Sequence, residues 1–232
     1  LGENKVYELM AGTPKYFKDD YLNILDETNI HFKEDTLTSA YIYFRNGAVE
    51  VSATGINIID YLNLDGFVWK KHIIDFDFKV NQIIDRDFNL ADHHQAEYRS
   101  FVWYIAGENR QKYNTFKSVI GYLMHSFKTS ANNKAVILND ETISENPNGG
   151  SGKGIFWNAL SKVKRLSDIN GKSFSFEKSF PYQTVSADTQ ILVFDDVQKN
   201  FKFENLFSVI TEGITLEKKN KDAIKITVSR SP

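Results

Sequence analysis

An α/β fold is the prediction for residues 131–232, and two observations support it. A short apolar run over 135–138 is followed by a glycine-rich loop at 146–154 and by helical spacing over 155–163. A second apolar run ends in two aspartates, over 191–196. A strand, a glycine loop, a helix and a strand in this order are typical of α/β domains, in which helices pack on a mostly parallel sheet.

Residues 1–92 are predicted to form a small α+β region that contains a β-hairpin. Asn46-Gly47 separates two β-rich runs, and this pair is the strongest short hairpin signal because both residues tolerate positive φ. The strands of the hairpin are expected at 41–45 and 48–51, further strands at 56–61 and 67–74, and a short amphipathic helix over 14–25.

Residues 93–130 are predicted to form a helical linker region. Apolar residues follow helical spacing over 98–105 and again over 113–123. Gly107 and Asn109 lie between the two runs as a helix stop and an N-cap. A helical hairpin is therefore expected here, ahead of the α/β region.

The composition excludes several classes of protein. The 232 residues suit one large domain or two small ones, and the absence of cysteine excludes a disulfide scaffold, a thiolate zinc site and a cysteine nucleophile. It also fits a reducing compartment, so a cytoplasmic location is expected. With 28 Lys and Arg against 30 Asp and Glu, the chain is not basic throughout, although a local basic patch is compatible with this balance. No segment approaches the ~20 apolar residues of a transmembrane helix, so no membrane partner is expected.

The glycine-rich loop has the composition of a phosphate-binding loop. Small residues let the backbone approach a phosphate, successive N–H groups point at it, and the following helix adds the positive end of its dipole. The ammonium of Lys153 can reach the outer phosphates. The residues predicted to bind the nucleotide are Asn148, Gly149, Gly150, Ser151, Gly152, Lys153 and Gly154.

Two positions depart from the P-loop pattern GxxxxGK[ST]. Pro147 stands at the first glycine position, a mild change because proline also makes turns. Gly154 replaces the serine or threonine whose hydroxyl would bind Mg²⁺, so the metal would need another ligand or more water. A glycine-rich surface turn is the alternative, and the position of the loop between a strand pattern and a helix pattern argues against it.

The paired aspartates follow the second apolar run. In P-loop NTPases the strand beside the loop ends in acid, at the edge where ligands bind open α/β sheets. Asp195 is predicted to hold Mg²⁺ and Asp196 to orient the attacking water, although the two roles could be exchanged, and Lys153 completes the predicted catalytic set. A strand followed by an acidic turn is the alternative, which the preceding glycine loop weakens.

Three lysines lie on a predicted turn near the end of the chain. Lys218, Lys219 and Lys221 fall between two strand-like runs, 214–216 and 223–228. They form a positive tip that can contact the phosphates of DNA. A solvated hairpin whose lysines discourage aggregation is the alternative.

The three motifs occupy NPNGGSGKG at 146–154, KSFPYQTVSADTQILVFDDV at 178–197 and ITLEKKNKDAIKI at 214–226. Together they resemble superfamily 3 helicases, and most of all the helicase part of phage and plasmid primase–helicases, which is related to poxvirus-type primase–helicases. The resemblance implies an ATP-driven enzyme of DNA replication: a P-loop ATPase core of the AAA+ or RecA-like type, a hexameric ring, ATP with Mg²⁺, and movement along single-stranded DNA. In that family a hairpin carries lysines into the ring channel, and Lys219 and Lys221 match its tip.

The same resemblance implies that the ATPase core is truncated at its C-terminal end. The family places a sensor asparagine on the next strand and an arginine finger beyond it, and the chain ends at Pro232 where that strand should begin. A segment of a longer protein is therefore expected, with weak nucleotide binding and little turnover on its own. The alternative function is a non-catalytic DNA-binding or assembly module with a degenerate P-loop, which Gly154 favours.

Two weaker metal-site candidates precede the loop. His93 and His94 are adjacent, so their side chains point in different directions, and a structural role is favoured. Four aspartates could form a nuclease-type metal site, but the solvated face of strands is the favoured interpretation. They are Asp75, Asp77, Asp85 and Asp87.

Overall fold

The computed structural model divides the chain into two compact units, Leu1–His31 and Phe32–Pro232. It describes residues 30–79, 97–129, 131–140, 150–219 and 221–232 together with positions 5, 8, 11–13, 15 and 18, and of Lys218 and Lys221 only the backbone. The predicted helix over 14–25 lies outside the described residues, apart from positions 15 and 18. The second unit contains, in chain order, β1 Ser39–Phe44, β2 Gly47–Ser52, β3 Gly55–Ile59, α1 Glu97–Ile105, α2 Arg110–Met124, α3 Lys153–Leu160, β4 Leu166–Asn170, β5 Ile191–Asp195, α4 Phe207–Glu212, β6 Ile214–Lys218 and β7 Lys221–Ile226.

The first three strands form an antiparallel sheet in the order β1-β2-β3. The Asn46-Gly47 hairpin is confirmed, because Phe44 pairs with Gly47 across the turn. Gly47 has φ of 149°, and a Cβ at this position would lie 2.7 Å from the Ile59 carbonyl oxygen, so only glycine fits. The strand predicted at 56–61 is confirmed over 56–59, as β3, whereas Tyr61 begins a 3₁₀ turn that Asp60 caps.

The strand predicted over 67–74 is wrong for most of its length. A 3₁₀ turn occupies Lys70–His72, and only isolated bridges at Phe67 and Ile74 join this segment to its neighbours. The turn brings the imidazole Nε2 of His72 to within 2.9 Å of the Asp188 carbonyl oxygen. Tertiary contacts of this kind can prevail over local strand preference.

The helical hairpin is confirmed as α1 and α2. Gly107 follows α1 with φ of 62°, a left-handed conformation that glycine adopts at no steric cost. Asn109 caps α2, since its side-chain oxygen accepts the Lys112 backbone N–H at 3.0 Å. Val102 and Tyr113 are buried between the two helices. Among the described residues, no helix combines the length and the apolar character that crossing a bilayer requires.

The last region of the chain is built on the parallel pair β4 and β5, whose register runs from Leu166↔Ile191 to Asn170↔Asp195. The pairing confirms the strand predicted at 191–194. β4 was not predicted, because its sequence LSDIN is largely polar. The β6–β7 hairpin packs beside this pair, and the shared core contains Ile169, Tyr182, Val185, Ile214, Leu216 and Ile226. The fold is thus mixed α and β, with small sheets.

The strand predicted at 135–138 is wrong, because no ladder forms there among the described residues. Ile137 is 68% exposed. A strand must pair its backbone N–H and C=O groups with a neighbour, and apolar composition alone does not supply that neighbour. The segment nevertheless leads into Asp140, whose position matters for the site described below.

A buried ionic cluster holds three parts of the second unit together. The Asp35 carboxylate accepts the backbone N–H groups of Tyr41 at 2.8 Å and of Ser126 at 2.7 Å. Lys164 lies with its ammonium 3.9 Å from Asp35 and 3.1 Å from the Ser126 hydroxyl. Burial lowers the pKa of Lys164, and the Asp35 charge opposes that shift. The cluster therefore fixes β1 and the end of α2 against the segment between α3 and β4.

Candidate functional site

The end of the glycine loop turns directly into α3. Gly150 and Gly152 have φ of 96° and 89°. A Cβ at position 152 would lie 3.0 Å from the Phe101 ring and 3.3 Å from Ile105, so both backbone conformation and space require glycine. Of the predicted loop residues, Asn148 and Gly149 lie outside the described part of the chain.

Lys153 is the first residue of α3, and a carboxylate holds its ammonium. The Nζ atom lies 2.7 Å and 2.6 Å from the two carboxylate oxygens of Asp140 and 2.9 Å from the Ser151 hydroxyl. The hydrogen bond from Lys153 lowers the pKa of Asp140, and the hydrogen bond to Ser151 lowers it further. The Asp140 carboxylate therefore already binds the Lys153 ammonium that a phosphate would need.

Gly154 leaves open space where the usual P-loop hydroxyl would lie. A Cβ built at this position meets no atom within 4 Å. Further along α3, Phe156 and Leu160 are buried, whereas Ile155 is exposed. Packing therefore does not demand glycine at position 154, and serine or threonine would fit.

The paired aspartates lie at the carboxyl end of β5, as predicted. Both are exposed, and Asp196 has φ of 56°, a left-handed conformation that aspartate adopts more readily than most residues. The Nζ atom of Lys172 lies 2.8 Å from Asp196 Oδ2. The hydrogen bond from Lys172 and its charge lower the pKa of Asp196, and the charge of Lys153 adds to this effect. The loop lysine and the strand-end carboxylate therefore lie within electrostatic range of each other.

The loop and the strand end line one open cavity of about 2080 Å³. This exceeds the ~300–1,000 Å³ of typical small-molecule pockets, so the cavity extends well beyond these residues. The lining includes Asp140, Gly150, Ser151, Gly152, Lys153, Gly154, Lys172, Asp195 and Asp196. The structure thus brings together the described residues of the two predicted motifs.

The carboxylates fit Mg²⁺, although they do not form a complete cage. Within the described ranges, no group of three or more His, Asp or Glu residues is arranged to hold a metal ion. Mg²⁺ commonly keeps several waters and takes one or two carboxylates together with phosphate oxygens. Asp195 and Asp196 are exposed and both line the cavity, so a carboxylate at this strand end suits that mode of binding.

Asp140 and Lys172 were not predicted as site residues. Asp140 follows the apolar run at 135–138 after one intervening residue, Asn139, and an acid after such a run was the same signal that identified Asp195 and Asp196. Lys172 had no such signal, because it follows β4, the strand that the sequence did not reveal. Both are brought to the site by contacts between residues distant in sequence.

The weaker metal-site candidates gain no support from the described residues. Asp77 accepts a hydrogen bond from Arg45 at 2.9 Å, which lowers its pKa, and Asp75 is exposed. Asp77 thus belongs to a surface ion pair. Asp85, Asp87, His93 and His94 lie outside the described residues.

The predicted basic turn is confirmed as the β6–β7 hairpin. Lys218 pairs with Lys221 through the backbone, which leaves Lys219 exposed in the turn. Ile214 and Ile226 anchor the other end of the hairpin in the core. Residues 224–227, near this anchored end, line the cavity, whereas Lys219 does not. The lysine tip therefore lies apart from the cavity.

No protein-family model matches this chain, and a search of the curated proteins also finds no match. What supports a function is thus the geometry of the chain itself: one cavity, a glycine turn with a lysine, and two carboxylates at a strand end.

Proposed function

We propose that this chain is the ATP-binding part of a DNA helicase of the primase–helicase type, built on a P-loop core. One observation carries the proposal. Lys153, Asp195 and Asp196 lie far apart in the sequence, yet they line the same cavity. A lysine at a helix start and acids at a strand end are the two halves of a nucleoside triphosphate site.

In this proposal the backbone of 150–154 cradles the phosphates of ATP. The positive φ angles of Gly150 and Gly152 turn the chain sharply ahead of α3, and the start of α3 adds its dipole. Lys153 exchanges the Asp140 carboxylate for a phosphate oxygen. Asn148 and Gly149, ahead of these residues, would complete the cradle.

Asp195 holds Mg²⁺ in this proposal, and Asp196 orients the attacking water. When bound, Mg²⁺ would neutralise charge on the phosphate oxygens and so favour transfer of the terminal phosphoryl group to water, with ADP as the leaving group. Asp196 carries a lowered pKa and is therefore ionised at neutral pH, as a carboxylate that accepts a hydrogen bond from water must be. The missing hydroxyl at Gly154 leaves one more metal position to water.

The β6–β7 hairpin is the proposed DNA contact. Lys218, Lys219 and Lys221 lie at or beside its turn, and a cationic tip binds phosphates without reading base sequence. In a ring of identical subunits, a hexamer in this proposal, such tips would face single-stranded DNA in the channel. A chain without cysteine suits work in the reducing cytoplasm.

A non-catalytic DNA-binding or assembly module is the second candidate. Gly154 favours it, because the hydroxyl that normally helps to hold Mg²⁺ is absent although the site has room for it. In that case the loop would be a degenerate P-loop, and the β6–β7 hairpin with its lysines would bind DNA.

Titration with a labelled ATP analogue in the presence of Mg²⁺ separates the two functions. We expect the wild-type protein to bind weakly, with binding detectable at analogue concentrations below millimolar. Lys153→Ala should lower the affinity at least about tenfold, because it removes a charge-assisted contact to phosphate. Lys162→Ala, an exposed lysine just beyond α3, is the matched control and should bind like wild type.

Absence of binding at millimolar analogue would reject the ATPase proposal. The same preparation would then be tested for binding to single-stranded DNA. DNA binding by the wild type that is weakened by Lys219→Glu would support the non-catalytic DNA-binding module. Equal affinity of wild type and Lys153→Ala would also contradict a phosphate site at this loop.

A further inference from the structure

The backbone that follows β4 lies directly against the segment that carries the paired aspartates. The Gly171 N–H donates to the Asp195 carbonyl oxygen at 2.6 Å. A Cβ at position 171 would lie 2.7 Å from that oxygen and 2.7 Å from Val197 Cα, so no larger residue fits. The Gln198 side-chain amide donates to the Lys172 carbonyl oxygen at 2.5 Å. Lys172 is therefore held beside Asp196 from both sides.

The side chain of Lys172 then reaches into the candidate site. Its ammonium lies 2.8 Å from Asp196 Oδ2, and the two side chains are 68% and 69% exposed. An ion pair this exposed contributes little to stability, because water screens both charges. Both residues line the cavity that Lys153 also lines, so the pair faces the space where phosphates would bind.

We propose that Lys172 is a second phosphate-binding lysine, which contacts the terminal phosphate of ATP once Mg²⁺ engages the carboxylate pair. This inference rests on the proposed function. Mg²⁺ on Asp195, or on Asp196 if the two roles are exchanged, would compete with the Lys172 ammonium for the charge of Asp196, while Gly171 and Gln198 would still hold the Lys172 backbone in place. A terminal phosphate held through Mg²⁺ at the same carboxylates would then be an anion within reach of this ammonium.

The two lysines would then contact the phosphates from different sides. Lys153, at the start of α3, would reach the outer phosphates from the loop side, and one of these, the β-phosphate, is also present in ADP. Lys172 enters from β4, on the side of the carboxylates, where the end of the triphosphate meets the metal. A diphosphate lacks the group that Lys172 contacts, so the contribution of this lysine should depend on the third phosphate.

Equilibrium binding of a non-hydrolysable ATP analogue and of ADP, each with Mg²⁺, tests this arrangement. We expect Lys172→Ala to weaken analogue binding by about tenfold and ADP binding by less than about twofold, as loss of one charge-assisted hydrogen bond to the terminal phosphate predicts. Lys172→Arg keeps the charge and should retain most of the affinity. Lys178→Ala removes an exposed lysine from the same connection and is the matched control.

Unchanged or tighter nucleotide binding by Lys172→Ala would overturn the inference. If Lys172 only neutralises Asp196, its removal frees that carboxylate for Mg²⁺, and both nucleotides should bind as well as before or more tightly. Equal losses for the analogue and ADP would also contradict a contact to the third phosphate. If wild-type protein bound neither nucleotide, the proposed function itself would fail, and the inference with it.

Discussion

Lys153 has one anionic partner in the structure, and the proposed function would give it a second, a phosphate of ATP. Its ammonium contacts both carboxylate oxygens of Asp140. A phosphate must therefore displace a carboxylate before it can bind this lysine. Asp140 is ionised at neutral pH, since its contact with Lys153 lowers its pKa, so the competition operates under ordinary conditions.

Asp140→Asn should therefore tighten nucleotide binding. The amide keeps the size of the side chain but loses the charge that holds Lys153, and the gain expected for a solvent-exposed ion pair is about two- to fivefold in affinity. Titration with the labelled ATP analogue measures it, with Asp168→Asn, an exposed acid on β4, as the control. Weaker binding would mean instead that Asp140 positions Lys153 for the phosphate.

At the same scale, the sequence predicted residues whose signal is local and missed those whose signal is not. Gly152 and Lys153 stand in a recognisable loop, and Asp195 and Asp196 end an apolar run. Lys172 lies beside Asp196 only because the chain returns to place β4 beside β5. No residue near Lys172 in the sequence predicts its contact with Asp196.

Three parts of the second unit meet at Asp35, whose carboxylate accepts hydrogen bonds from more than one of them. It accepts the backbone N–H groups of Tyr41 and Ser126 and faces the buried ammonium of Lys164. The side chains of Asp35 and Lys164 are 5% and 2% exposed, so neither charge has water as a substitute partner. Removing one of the two leaves an uncompensated charge in the interior.

Asp35→Ala should lower the free energy of unfolding by about 3–5 kcal/mol, the usual cost of breaking a buried ion pair from one side. Urea denaturation followed by circular dichroism measures this, with the exposed Asp65→Ala as the control. Adding Lys164→Met to Asp35→Ala should recover part of the loss, because it removes the orphaned charge. A loss below ~1 kcal/mol, the size typical of an exposed pair, would contradict the burial argument.

Elements with strong local chemistry were predicted well, and the others were not. The β1–β2 hairpin follows from Asn46-Gly47, and α2 begins where Asn109 can cap it. The polar strand β4 was missed, because its alternation of buried and exposed residues is carried by Ser167 and Ile169 rather than by an apolar run. The residues at 135–138 look like a strand, but no partner for them exists among the described residues.

At the scale of the whole molecule, the second unit places one cavity among three hydrophobic clusters. One cluster lies in the β1–β3 sheet, one between α1 and α2, and one around β4–β7. The cavity is lined by residues from each region, among them Tyr41, Tyr122 and Ile191. Distant parts of the chain therefore contribute to the surface of the cavity in which the loop lies.

Amide hydrogen exchange, with and without a non-hydrolysable ATP analogue and Mg²⁺, tests the central claim most directly. A loop that cradles phosphates donates its own N–H groups to them, so exchange at 150–154 should slow when the analogue binds, and exchange at 195–198 should slow as the metal engages the strand end. The turn at 53–54, between β2 and β3, should not change. Unchanged exchange at 150–154 in millimolar analogue would contradict the account.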